Sequence, residues 1–350
     1  MRPWLNWIEQ QISNLWVAGS SPAGRAKIYR KNTKGFPMII KKFDEEKDYD
    51  KVIQFLRDNY KENQNMLSWL PQRFDDLIYR IDTLYHDERG KERNKDFVYL
   101  FEDDDNNIIG TIFPDGDSIY TCIKNGHEYI FPSMLDLGEK ELHPLYDKKE
   151  DGSIDFLIVS HDSLKYQAEE LTRRGYKRDE IHDNDNVQHP LETNYIIELP
   201  KGFKQVFGEG LSDIRKMNTC HYGFHPADDD DNLDKDISLL SYNARKKSQF
   251  YKDSFESLIV TDDGDLCSYC FVYVDKVTNT AFFEPVCTRE KYRKMGFATQ
   301  MLHGAINRLK QMGIKSAYVN SYDWRVKVYN HAGFKTEETV SCWHKNIAVK

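Results

Sequence analysis

The residues best placed to do chemistry lie between Phe283 and Thr299. An apolar strand pattern, Phe283-Glu284-Pro285-Val286-Cys287-Thr288, leads into Tyr292-Arg293-Lys294-Met295-Gly296-Phe297-Ala298-Thr299 and then into a long helical pattern. A strand that empties into a glycine-centred loop at a helix start can cradle an anion. The first-turn N–H groups have no intrahelical partners, and the helix dipole favours negative charge there. Gly296 lets the backbone approach a ligand closely, and Arg293 and Lys294 add positive charge. The chemistry expected is binding of a phosphate or pyrophosphate. Pro285 extends this expectation, because proline cannot donate to a sheet ladder and so interrupts pairing on one side of its strand. Backbone groups left free there can take an extended, amide-bearing chain such as pantetheine as an added strand.

The elements that must position these residues can be read from periodicity. Strands are expected at residues 258–261, 266–274 and 280–288, with a helical stretch before them holding Leu239, Leu240, Tyr242, Ala244 and Phe250. Apolar Ala298, Met301, Leu302, Ala305, Ile306 and Leu309 predict a helix from 298 to about 312. Strand 317–319, a helix holding Val326, Val328 and Tyr329, and Gly333-Phe334-Lys335 follow. In the first half, strand 38–42 precedes a helix from Asp48, and strands 97–101 and 108–112 flank an acidic hairpin loop. Strand 156–159 then leads to a helix over 162–174 that stops at Gly175, and a further strand is expected at 194–199. The unit from Val159 to Gly175-Tyr176-Lys177 repeats the unit from Val319 to Gly333-Phe334-Lys335, each followed by acidic residues. The repeated order of elements predicts two copies of one α/β domain.

The chain has 350 residues, a size that accommodates two domains. It contains no apolar run long enough to span a bilayer, so no membrane partner is expected. A net charge of −8, without a long Lys/Arg stripe, argues against nucleic acid as a partner. Six cysteines are too sparse for a disulfide scaffold and read as reduced thiols of a cytoplasmic protein. Cys267 and Cys270 lie in a strand pattern, where positions three apart face opposite ways, so no metal is expected. Cys287 reads as a buried thiol, and residues 228–231, four aspartates, as a solvated cap before a helix. Residues 1–37 read as a dispensable leader or an over-extended start, followed by a domain over 38–203 and a second over 204–350.

Together, Arg293-Lys294-Met295-Gly296-Phe297-Ala298 after an apolar strand and Tyr329-Asn330-His331-Ala332-Gly333-Phe334 downstream resemble the two signature motifs of the GNAT superfamily of N-acetyltransferases. The close resemblance covers roughly residues 255–340. It implies an α/β (α+β) fold of two GNAT-like domains, each a mixed, mostly antiparallel sheet flanked by helices. It also implies transfer of an acetyl group from acetyl-CoA to a primary amine, in a small molecule or peptide, by direct attack in a ternary complex.

Carried over position by position, the resemblance makes the backbone of Val286, Cys287 and Thr288 the contact for thioester and pantetheine, with one N–H as oxyanion donor. Residues Arg293, Lys294, Met295, Gly296, Phe297, Ala298 and Thr299 would hold the pyrophosphate. Tyr329 would protonate the leaving thiolate, and Glu284 would act as general base. The family often has Asn seven positions before the motif tyrosine. Here that position is Tyr322, with Asn320 and Asp323 nearby, and Asn320 is taken as the CoA contact. In the first half Leu171 stands where Tyr329 does, and no Arg-x-x-Gly-x-Ala occurs before the strand at Phe156, so that copy is expected to be degenerate. A second reading, a CoA-binding or protein-interaction module without turnover, rests on Leu171, the missing first loop and Tyr322. A monomer or homodimer fits either reading.

Overall fold

A computed structural model describes residues 28–31, 37–65, 69–79, 94–115, 118–179, 184–235, 243, 245–321 and 325–349. They fall into two compact units that are not contiguous in sequence. One is built on Asn186–Glu337; the other gathers segments before Asp185 and adds Glu338–Lys350.

The N-terminal unit carries strands β1 (Ile28–Lys31), β2 (Pro37–Lys42), β3 (Tyr99–Glu102), β4 (Ile108–Asp115), β5 (Ser118–Ile123) and β6 (Ser153–His161), in that spatial order. Successive pairs are antiparallel except β5 and β6, which are parallel. Helix α1 (Glu45–Asn63) starts at Asp44, whose carboxylate accepts from the Glu46 N–H, and buries Val52, Ile53, Phe55 and Leu56. Helices α2 (Pro71–Tyr79), α3 (Phe131–Glu141) and α4 (Lys165–Arg173) complete the unit with the short strand β7 (Lys177–Arg178). Phe131, Met134, Leu135 and Leu137 of α3 pack into a core with Ile109, Ile112, Phe156 and Leu171. The sheet is closed by β14 (Lys335–Ala348), which pairs antiparallel with β6 from Val340↔His161 to Ala348↔Ser153.

The C-terminal unit orders its strands β8 (Asn184–His189), β13 (Ser316–Ser321), β12 (Thr280–Thr288), β11 (Leu266–Asp275), β10 (Ser257–Thr261) and β9 (Phe203–Phe207). Pairing is antiparallel from β9 to β12 and parallel between β12 and β13. Every residue of β11 is buried, as befits the middle of the sheet. Helix α5 (Asp213–Phe224) packs against β11 and β12, helix α6 (Phe297–Gln311) against β10, β11 and β12, and α7 (Val326–His331) follows β13. The apolar face of α6, Phe297, Met301, Leu302, Ala305, Ile306 and Leu309, forms one core with Val272, Val274, Ala281 and Phe283.

Both units therefore repeat one plan of mixed, mostly antiparallel sheet and flanking helices. Gly175 after α4 and Gly333 after α7 both hold left-handed backbone, with φ of +81° and +91°. One expected strand needs correction. The segment 194–199 joins no ladder. Asn307 of α6 takes its backbone groups instead, accepting from the Tyr195 N–H (2.9 Å) and donating to the Tyr195 carbonyl (2.8 Å). Residues 186–200 pack with the C-terminal unit and residues from Glu338 with the N-terminal one. A paired strand, β1, precedes the expected start at Met38. Residues 1–27 and 32–36, Leu239, Leu240, Tyr242 and Ala244, and Tyr322 and Asp323 lie outside the described residues.

Candidate active site

Strands β12 and β13 pair at Thr280↔Ser316, Ala281↔Ala317 and Phe282↔Tyr318, and there the pairing stops although both strands continue. On the other side of β12, Cys270 opposes Val286 and Val272 opposes Phe283. Phe271 alone thus faces both Glu284 and Pro285, a β-bulge that bends β12 where the expected interruption lies. Among the described residues, the second half of β12, Val286 to Thr288, is paired on one edge only, toward β11. Helix α5 supports this bend from below. Gly223 lies so close that an added Cβ would stand 2.7 Å from the Cys287 Cβ. Lys216, fully buried, ties α5 to Glu256 (2.8 Å), which also accepts from the Tyr269 hydroxyl (2.7 Å).

Beyond Thr288 the chain makes a 3-10 turn over Glu290–Tyr292 and enters α6 through two left-handed residues, Lys294 (φ +65°) and Gly296 (φ +78°). No side chain caps α6, and its first turn carries no acid. A Cβ built on Gly296 meets nothing within 4 Å, so its surroundings are open. Lys294, Met295 and Gly296 are exposed, Ala298 and Thr299 half-buried, and Phe297 is buried in the core, so only the backbone of Phe297 can meet a ligand. Arg293 departs from the role of free cation. Its guanidinium donates to the carbonyls of Gly223 (2.8 Å) and Thr288 (3.2 Å), which ties the loop to α5 and to the end of β12. An uncapped, acid-free helix start beside an exposed lysine fits a pyrophosphate.

Tyr329, on α7, is 9% exposed and packs edge-on against Phe334 at 5.8 Å. Burial, and then the charge of Glu284, push its phenol well above the ordinary range, so it stays protonated at neutral pH. Glu284, half-buried at the bulge, is thus within electrostatic reach of Tyr329. Asn320, half-buried near the end of β13, stands on the other arm of the split. Cys287 is buried, with its Sγ directed at the carbonyls of Tyr269 (3.5 Å) and Thr219 (3.7 Å). Burial holds the thiol far above its usual pKa and keeps it in the protonated form.

Arg289 is the residue that sequence reasoning missed. It is fully buried at the mouth of the loop, and Asp229 receives its Nε (2.9 Å) and Nη2 (2.6 Å) side by side. Nη2 also reaches Asp231 (2.7 Å), while Nη1 reaches Asp265 (2.9 and 3.1 Å) and the Leu266 carbonyl (3.3 Å). The expected solvated cap at 228–231 is therefore half an ion-pair node. Burial alone would raise the Asp229 and Asp265 pKa values; hydrogen bonds, to Arg289 for Asp229 and to Tyr292 and Lys291 for Asp265, hold both below the usual carboxylate value. Four consecutive aspartates with an arginine one residue past an apolar strand were the available signal.

The N-terminal unit has a split of its own. Among the described residues, strands β5 and β6 pair only at Ser118↔Leu157 and Ile119↔Ile158. Here Gln167 of α4, 2% exposed, spans the gap, accepting from Ser160 on β6 (2.8 Å) and donating to Thr121 on β5 (3.3 Å). In the following loop the Gly126 N–H donates to the Glu128 carboxylate (2.9 Å). Among the described residues no group of three or more His, Cys, Asp or Glu could hold a metal ion, and no helix is long and apolar enough to cross a membrane.

Residues 217–334 match the profile of the family described as Acetyltransferase (GNAT) family. Solved structures share the fold over most of the chain. A GCN5-related N-acetyltransferase from Sphaerobacter thermophilus is 13% identical, with a TM-score of 0.59, over 89% of this chain and 96% of that one. A tandem GNAT protein from the clavulanic acid biosynthesis pathway is 10% identical, with a TM-score of 0.55, over 88% and 97%. A GNAT-family acetyltransferase from Colwellia psychrerythraea is 13% identical, with a TM-score of 0.53, over 87% and 98%. No curated protein sequence matches this chain.

Proposed function

We propose that this chain, whose residues 217–334 match the GNAT acetyltransferase family, moves an acetyl group from acetyl-CoA to a primary amine by direct attack in a ternary complex. The observation that carries the proposal is the parting of β12 from β13 beyond Phe282 and Tyr318, beside the uncapped start of α6. The open edge of Val286–Thr288 accepts the pantetheine amides as a neighbouring strand would, and one of its N–H groups faces the thioester oxygen as negative charge develops. The backbone of residues 293–299, with Lys294, binds the pyrophosphate. Asn320 contributes from β13.

Glu284 takes a proton from the incoming ammonium, directly or through one water, and Tyr329 gives its proton to the departing thiolate. The phenol's raised pKa suits this acid role, since the group is fully protonated when needed. The N-terminal unit is a copy without turnover. Gln167 fills its split, Glu128 occupies its loop N–H, and Leu171 replaces the acid.

The test is thiol release from acetyl-CoA across a panel of amines. Tyr329→Phe and Glu284→Gln should each lower kcat about 100-fold, the lower end of what general acid–base groups contribute, with CoA affinity within about twofold. Wild-type rates in both variants would remove these roles.

A further inference from the structure

We infer that Arg289 is a positioning residue for CoA binding, acting through the loop it anchors and never touching the ligand. The inference rests on reading residues 293–299 as the pyrophosphate site. A guanidinium has five N–H donors, and here each has an acceptor, on Asp229, Asp231, Asp265 and the Leu266 carbonyl. The same acids hold the next residues of the loop. Tyr292 donates its hydroxyl to Asp265 (2.7 Å), and Lys291 pairs with Asp265 (3.1 Å) and Asp231. Backbone bonds continue the pattern, from the Arg289 N–H to the Cys267 carbonyl and from the Tyr292 N–H to the Arg289 carbonyl (both 3.0 Å).

The node therefore fixes the direction in which the chain leaves β12, immediately before Lys294 and Gly296 turn it into α6. The acids come from two other places, the strap after α5 and the turn between β10 and β11, so three segments meet on one buried arginine. A loop held this way is ordered before the ligand arrives, so binding does not have to supply the ordering entropy.

The experiment compares acetyl-CoA with S-acetylpantetheine, which lacks the pyrophosphate, as donors for wild type, Arg289→Lys, Asp229→Asn and Asp265→Asn. Calorimetric CoA affinity and circular dichroism accompany the kinetics. The expected result is a KM for acetyl-CoA raised about tenfold, equivalent to about 1.4 kcal/mol, with kcat within about twofold and S-acetylpantetheine used as by wild type. Equal losses on both donors, or a fall in kcat alone, would overturn the positioning role. CoA binding by every variant equal to wild type would overturn it too, while leaving the site intact. A wild type that binds no CoA would instead overturn the underlying reading of the loop. Should Arg289→Lys fail to fold, the two aspartate variants, which keep side-chain shape, decide the matter.

Discussion

Acidification should weaken the C-terminal unit through one histidine, and the size of the effect follows from its contacts. His189 is 1% exposed, its Nδ1 accepts from the Leu191 N–H (2.9 Å), and its other nitrogen meets the Tyr195 hydroxyl (2.8 Å). Because Nδ1 faces a donor, the neutral ring carries its hydrogen on Nε2, and a second proton would have to enter against that N–H. Burial, and then the nearby His303, lower the pKa to about 4. The unfolded chain, with histidine near 6.5, therefore takes up the proton first. The contribution of His189 to stability is complete above about pH 6.5 and is lost as the pH falls toward 4. At 1.36 kcal/mol per unit, the loss reaches about 2–3 kcal/mol by pH 4.5. Urea unfolding of wild type and His189→Gln between pH 7 and 4.5 measures it, with wild type losing that much more than the variant. Parallel curves for the two proteins would refute the reasoning.

Two further results are expected. Calorimetric titration with CoA should give one site per chain, since Gln167 and Glu128 occupy the second split and loop; two sites would contradict that account. Alanine at two glycines should separate fold from ligand. Gly333→Ala places a Cβ 2.0 Å from the Tyr195 hydroxyl at φ +91° and should cost about 2–4 kcal/mol in urea unfolding. Gly296→Ala, in open surroundings at φ +78°, should cost about 1–2 kcal/mol yet weaken CoA binding; equal destabilisation by the two changes would contradict the geometry.

Legibility in the sequence followed the range of the interaction. The loop from Thr288 into α6 and the repeated strand-helix-glycine units were readable because apolar spacing, Gly296 and Gly333 report local backbone needs. Helix α5 was not readable, since its placement depends on Lys216 meeting Glu256, forty positions away. The Arg289 node joins Arg289 to Asp229, sixty positions away, so the run of aspartates and the arginine past β12 were visible but their pairing was not. Segment 194–199 has the alternation of a strand, but Asn307 of α6 holds the Tyr195 backbone and no ladder forms. Neighbouring residues do not encode such competition between partners.

The pairing of β14 with β6 also bears on how the molecule is made. A ribosome delivers β6 long before residues 340–348, and the whole of 186–337 emerges in between. Until then the N-terminal sheet has an uncovered edge at β6, open to chaperones or to another nascent chain. The half synthesised first is thus the half completed last, and a premature stop anywhere in the later unit leaves the earlier one unfinished as well.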